Sequence, residues 1–267
     1  QMLEMKAKSF TGRRGLTDIF EAGVGKRAGG YDKDGSSEEV KTVTNADGSG
    51  EVSQTTTQAN GASTSTTVAT DSTGAATSVS TESTNKNGKT TEAEYDVTSG
   101  KNISLENVDT TTNKIEVPST VKAADGKTYK VTEVAKNAAK GSDTVKTVEV
   151  GKNVKKIGAS AFANCKKLTK ATIGKNVTTI AKNTFKGDSK LKTVKLEGAK
   201  VTSVGKGAFS GIAKNATITI SGSAKQVKKV TNLIKKSGIA KTVTIKRANK
   251  TARQRFPIVK GAVLPSD

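Results

Sequence analysis

Apolar residues are sparse in the second half of the chain, but they recur at a fixed interval. VTEVAKNAAKGSDTVKTVEV is followed by VKKIGASAFANCKKLTKATI, VTTIAKNTFKGDSKLKTVKL and VTSVGKGAFSGIAKNATITI. These units start at Val131, Val154, Val177 and Val201. Their aromatic position falls on Ala139, Phe162, Phe185 and Phe209, at spacings of 23, 23 and 24 residues. Each unit closes on an alternating run, and a strand sends successive side chains to opposite faces. The inward pairs predicted are Val148/Val150, Ala171/Ile173, Val194/Leu196 and Ile218/Ile220. Units this short cannot bury their faces alone, so neighbouring coils must cover them, and the pattern predicts a solenoid of about four coils. Residues between the inward positions point to solvent, where lysine is tolerated. Low hydrophobicity here does not imply disorder.

The flanks read as caps. From Tyr95 onward, Ile103, Leu105 and Val108, then Ile115, Val117 and Val121, alternate over short runs, with a hairpin turn at Asp125-Gly126. Residues 97–130 are therefore expected to be an N-terminal β cap. At the other end Val227, Val230, Leu233 and Ile234 share one helical face, and Gly238 suits a helix C-terminus. Val243 and Ile245 then add a last strand, making 221–247 a helix-strand cap.

Residues 38–96 are Ser/Thr-rich and low in complexity. Turn-forming glycines stand at Gly48, Gly61, Gly74 and Gly88, with Val52, Val68 and Val79 as the sizeable apolar groups between them. Such strands are polar on both faces and specify their register weakly. Two readings are open, a flexible stalk and a marginal β-array; in both the segment is a spacer. Residues 1–37 are expected to form a disordered leader, and 248–267 a disordered tail. QMLEMKAKSF has no signal-peptide apolar region, so any targeting signal is expected to lie outside this chain.

The unit V-x-x-I-x-x-x-x-F-x-x-x-x-x-L-x-x-V-x-L resembles the BspA-like (Treponema pallidum-type) leucine-rich repeats of Firmicutes surface proteins. DGKTYKVTEVAKNAAKG is similar to the customary first repeat of such domains, and VKKVTNLIKKSGIAKTVTIK to their closing helix and strand. The resemblance covers about 97–247. It implies a β-rich α/β solenoid, the short leucine-rich-repeat array with its two caps, preceded by the Ser/Thr stalk. It also implies an extracellular or cell-surface location and adhesion to host or bacterial surface proteins. Two departures stand out: Ala139 replaces the expected Phe, which should loosen the first coil, and LPSD at the end lacks the Thr-Gly of a sortase motif.

Composition narrows the chemistry. The chain has no His, no Trp and one Cys, which excludes a His acid/base, a Cys/His nucleophile pair and a Cys/His zinc site. No catalytic constellation recurs, so the chain is read as non-enzymatic, with no cofactor and no metal. No apolar run approaches the roughly 18 residues of a membrane span. Cys165 is expected to be a packed, inert thiol.

Charge is unevenly placed. Of the net +21, residues 127–247 carry 28 Lys and Arg against 5 Asp and Glu, whereas 38–125 carry 6 against 13. Among the 28 basic residues only Arg247 is not Lys. Specific phosphate recognition favours the Arg fork, and sequence-specific nucleic-acid binding wants free aromatics, so specific nucleic-acid recognition is not expected. Diffuse attraction to anionic glycans or wall polymers is. The ligand-binding face expected is the outward side of the repeat strands: Glu149, Lys170, Thr172, Thr193, Lys195, Thr217, Thr219 and Thr244, together with Thr147 and Thr242. A monomer is expected.

Overall fold

In the computed structural model, which describes residues 25–27 and 34–248, the repeats stack into six coils built on a six-stranded parallel sheet. The expectations for the parts of the leader and tail at 1–24, 28–33 and 249–267 lie outside the described residues.

The chain opens as an antiparallel meander of β1 (Gly25–Arg27), β2 (Ser37–Thr44), β3 (Gly50–Thr57), β4 (Ser63–Thr70), β5 (Ala76–Thr84), β6 (Thr90–Ser99) and β7 (Asn102–Thr110). Of the two readings open for the Ser/Thr segment, the structure has the β-array. Gly48, Gly61, Gly74 and Gly88 each hold the left-handed conformation that closes a turn (φ +72° to +85°), which a residue with a Cβ adopts only with strain. Register is set by one buried rung, Thr42–Val52–Val68–Val79–Tyr95–Leu105, directly paired from strand to strand. All six side chains are buried.

The solenoid follows, with β8 (Lys114–Val117), β9 (Thr120–Lys122), β10 (Thr128–Val134), β11 (Thr147–Val150), β12 (Lys156–Ile157), β13 (Lys170–Ile173), β14 (Thr179–Ile180), β15 (Thr193–Leu196), β16 (Ser203–Val204), β17 (Thr217–Ile220), α1 (Ala224–Lys236) and β18 (Thr244–Arg247). Strand β7 pairs antiparallel with β6 and parallel with β10, so one sheet runs from the meander into the coils and on through β12, β14 and β16. The second sheet runs β8-β11-β13-β15-β17-β18.

The expected four coils become six because each cap is itself a coil. Ile115 and Val117 of β8 stand in register with Val148 and Val150, and Ile103 and Leu105 of β7 with Val131 and Val134. At the far end α1 takes the place of a short strand and β18 completes the turn. Ser223 caps the helix by accepting from the Gln226 backbone N–H, while the Gln226 side chain bonds back to the Ser223 N–H. Val227, Val230 and Ile234 face the stack, so the open end of the core is covered by a helix whose other face is polar.

Each coil has a third side, and its sequence signal is a pair of left-handed residues. Asn137, Ser160, Asn183 and Gly207 occupy one such position, and Gly141, Asn164, Gly187 and Gly211 the other. Between them backbone amides bond to the next coil, as in Phe162 N–H to Thr184 O at 3.0 Å and Phe185 N–H to Ala208 O at 2.8 Å. Inside this side the rings of Phe162, Phe185 and Phe209 stack, with centroids 5.5 and 5.6 Å apart. Ala139 ends the ring ladder, yet its N–H still reaches Ala161 O at 2.7 Å, so the coil keeps its backbone ladder without the ring.

The last strand corrects one boundary. Val243 and Ile245 were expected to form the last strand; in the structure the strand starts at Thr244, Ile245 pairs with Ile218, and Arg247 with Ile220. The face is preserved. The turn after α1, with Gly238 left-handed (φ +88°), uses more chain than alternation reveals.

Candidate functional site

The outer face of the parallel sheet carries two uninterrupted rows of side chains. One is Lys114–Thr147–Lys170–Thr193–Thr217–Thr244, and the other Glu116–Glu149–Thr172–Lys195–Thr219–Lys246. Adjacent strands sit about 4.8 Å apart, so the face spans six strands at a constant pitch. All the expected face residues lie here: Glu149, Lys170, Thr172, Thr193, Lys195, Thr217, Thr219 and Thr244. They are exposed or half-buried, whereas their neighbours Val148, Ala171, Val194 and Ile218 are fully buried. Thr242 precedes β18 and is not in the rows, which end on Thr244 and Lys246. Lys114, Glu116 and Lys246 were missed. The alternating KIEV of β8 carried the signal for the first two.

Charge is graded along the rows. At the N-terminal end Lys114 Nζ lies 2.9 Å from Glu149 Oε2 and 3.0 Å from Glu116 Oε2. These contacts raise the Lys114 ammonium above its usual range, the hydrogen bond to Glu149 contributing most. The same bond holds the Glu149 carboxyl below its ordinary value. Toward the other end threonine alternates with Lys195, whose Nζ stands 3.6 Å from Glu197 Oε1, and with Lys246. A shallow groove of about 350 Å³ crosses the N-terminal end, between Glu116, Pro118, Ser119, Gly151 and Lys152 and the rows at Lys170, Thr172 and Lys195.

Around this face the 28 basic residues of 127–247 are all exposed, on coil edges and on α1. Three of them, Lys170, Lys195 and Lys246, stand in the rows themselves, and with the others they form a field distributed over the whole stack.

Cys165 and Asp188 occupy one position in successive coils, 23 residues apart. Cys165 is buried, its Sγ donates to Ala139 O at 3.3 Å, and its thiol is pushed up to about 12, by burial first and then by Asp188. A thiol held protonated in this way is a poor nucleophile. Asp188 Oδ1 accepts the Cys165 backbone N–H at 2.8 Å, while Oδ2 is buried with no partner. Burial raises its carboxyl to about 8. In the sequence, the 23-residue offset from Cys165 is the signal that marks Asp188 as inward.

The model of the BspA type leucine-rich repeat region matches residues 121–232, in six copies. No curated protein matches the chain. Among solved structures, a leucine-rich repeat protein from Bacteroides ovatus is 24% identical with a TM-score of 0.42, over 58% of this chain and 36% of its own. A leucine rich cell surface protein from Faecalibacterium prausnitzii is 18% identical with a TM-score of 0.36, over 59% of this chain and 49% of its own. The T. pallidum leucine rich repeat protein is 21% identical with a TM-score of 0.31, over 47% of this chain and 67% of its own. The matches thus span about a third and a half of the first two relatives. No helix among the described residues is long and apolar enough to cross a membrane.

Proposed function

Since residues 121–232 are a leucine-rich-repeat array of the BspA type, we propose that the chain is a non-catalytic binding module displayed at a bacterial cell surface or secreted, and that it adheres to protein partners through the outer face of its parallel sheet. One observation carries this reading. The two rows of Thr, Lys and Glu run across six strands, and their polar groups are open to solvent. Parallel sheets are ordinarily covered on both faces. A partner that lays an extended edge across the rows meets a hydroxyl or charge at every step of about 4.8 Å. Thr172, Lys195 and Thr219 form the centre of that contact, flanked by Glu149, Lys170, Thr193, Thr217 and Thr244.

The exposed lysine field supports a second reading, a structural cell-envelope protein held to anionic wall polymers. Its charge is spread over every coil, so attraction to polyanions is expected to be diffuse and screened beyond about 8 Å at physiological ionic strength. Retention on an anionic glycan resin separates the two modes. Lys195→Glu should shift elution slightly, whereas replacing many coil-edge lysines by Gln should abolish retention. Loss of retention by Lys195→Glu alone would overturn the diffuse field and put a localised site in its place. Protein partners captured through the face should survive salt that elutes the glycan and should be lost in Lys195→Glu.

A further inference from the structure

The parallel sheet ends on β18, which pairs with β17 and with no other described strand. Its ladder to β17 uses alternate residues. Thr244 N–H bonds Ala216 O at 2.9 Å and Ala248 N–H bonds Ile220 O at 2.8 Å. The peptide groups of Ile245 and Arg247 therefore point the other way, onto an open edge. The side chains show the same incompleteness. Ile218 and Ile220 of β17 are fully buried, whereas Ile245 is only half-buried. Arg247 takes the next inward place, its Nε donating to Gly222 O at 2.8 Å. A half-open apolar side chain beside unused peptide groups is what a sheet offers to one more strand.

Charge says which strand. Glu197 is the last acidic residue before this edge: residues 198–247 carry 11 Lys and Arg and no Asp or Glu. Lys228, Lys229, Lys235 and Lys236 of α1 and Lys246 and Arg247 of β18 are all exposed. The outer rows reach the edge as Thr244 and Lys246, at the end opposite the ion-paired Lys114, Glu116 and Glu149. Lysines on an edge strand guard it against strands of like charge. That guard works against the basic coils of a second copy and against residues 249–267, which hold four basic residues and one acidic, Asp267. The chain's own acidic strands, β6 and β7, already have both edges paired. The complementary occupant is an acidic strand of another protein.

We propose that the open edge of β18 takes an extended segment of a partner polypeptide as a seventh strand, with acidic side chains beside Thr244 and Lys246 and an apolar one beside Ile245. Main-chain hydrogen bonds to Ile245 and Arg247 supply affinity, and the alternation of acidic and apolar residues supplies selectivity. A strand added there lies about 4.8 Å from β18, so its outward carboxylates are within reach of the Lys246 ammonium. This site is the edge of the sheet and does not rest on the face proposed above.

The test is an NMR titration of the whole chain at physiological ionic strength with a blocked Glu-Val-Glu-Val-Glu peptide. Gln-Val-Gln-Val-Gln, which lacks the charge, and Glu-Pro-Glu-Pro-Glu, which keeps it but lacks alternate N–H groups, serve as controls. Shifts at the amides of Ile245 and Arg247, with slowed exchange of both, are expected with the first peptide alone. Lys246→Glu should weaken that binding roughly tenfold. Lys195→Glu, on the sheet face, should change it by less than about twofold, so edge and face are tested apart. Equal shifts with the Pro peptide would reduce the effect to diffuse charge, and equal shifts with the Gln peptide would remove the acidic selectivity. Either result, an unaffected Lys246→Glu variant, or no shift at Ile245 and Arg247 would overturn the proposal.

Discussion

The meander and the coils share one sheet but hold together by different means. Strands β2 to β5 each put a single side chain on the buried rung, Thr42, Val52, Val68 and Val79. Each central coil instead encloses a strand pair such as Val194/Leu196, a ring such as Phe185 and further apolar side chains such as Ile180 and Leu191. The meander is local, antiparallel and acidic; the coils are non-local, parallel and basic. Regular hydrogen bonding is common to both, so the difference in apolar burial should set the difference in stability. A repeat can thus be geometrically complete and still be energetically marginal.

The sharpest way to break this comparison is to empty the coil. Phe185 is buried between Phe162 and Phe209, so Phe185→Ala leaves a cavity with rings on both sides. It should cost about 3–5 kcal/mol and unfold adjacent coils together, measured by denaturant titration. A loss below about 1 kcal/mol would be too small for a large buried truncation and would remove the ring ladder from the account.

Acidity should sort the two regions in opposite directions. Asp188, with its carboxyl raised to about 8, favours the folded coil when protonated. Its contribution is therefore full below about pH 4, the ordinary carboxyl range, and is lost as pH climbs toward 8. In the meander Asp47 and Asp71 are held below the ordinary value by hydrogen bonds from Ser49 and Thr73. Their contribution is present at neutral pH and lost as pH falls through the acid range. Asp188→Asn should flatten the loss of coil stability between about pH 4 and 8 by a few kcal/mol. An unchanged pH profile would show that Asp188 does not sense it.

Much of this was legible in the sequence because a period of 23 residues and an inward pair per strand survive any surface composition. The first and sixth coils were not. KIEV lies 33 residues before its successor TVEV because the β9–β10 hairpin intervenes, and α1 replaces a strand with a helix. The meander's turns were visible in its glycines, but one valine per strand could not decide between array and stalk. Alternation fixes faces, so the residues of the expected face stand together in the two rows, and whether that face binds is for experiment.

A smaller effect belongs to the meander. Val68→Ala removes two methyl groups from the middle of the rung and should cost about 1–2 kcal/mol. That loss should loosen β3 to β5 and leave the coils intact, seen as faster proteolysis within 50–84. If the coils melted with it, the two regions would be one cooperative unit.

Native-state amide exchange tests the central claim most directly, because it reads local stability strand by strand. Amides of β13, β15 and β17 should exchange near the rate set by global unfolding, and those of β2 to β5 at least a hundredfold faster. Equal protection across both regions would contradict it, and would mean that the single rung stabilises the meander as well as the packed coils stabilise the solenoid.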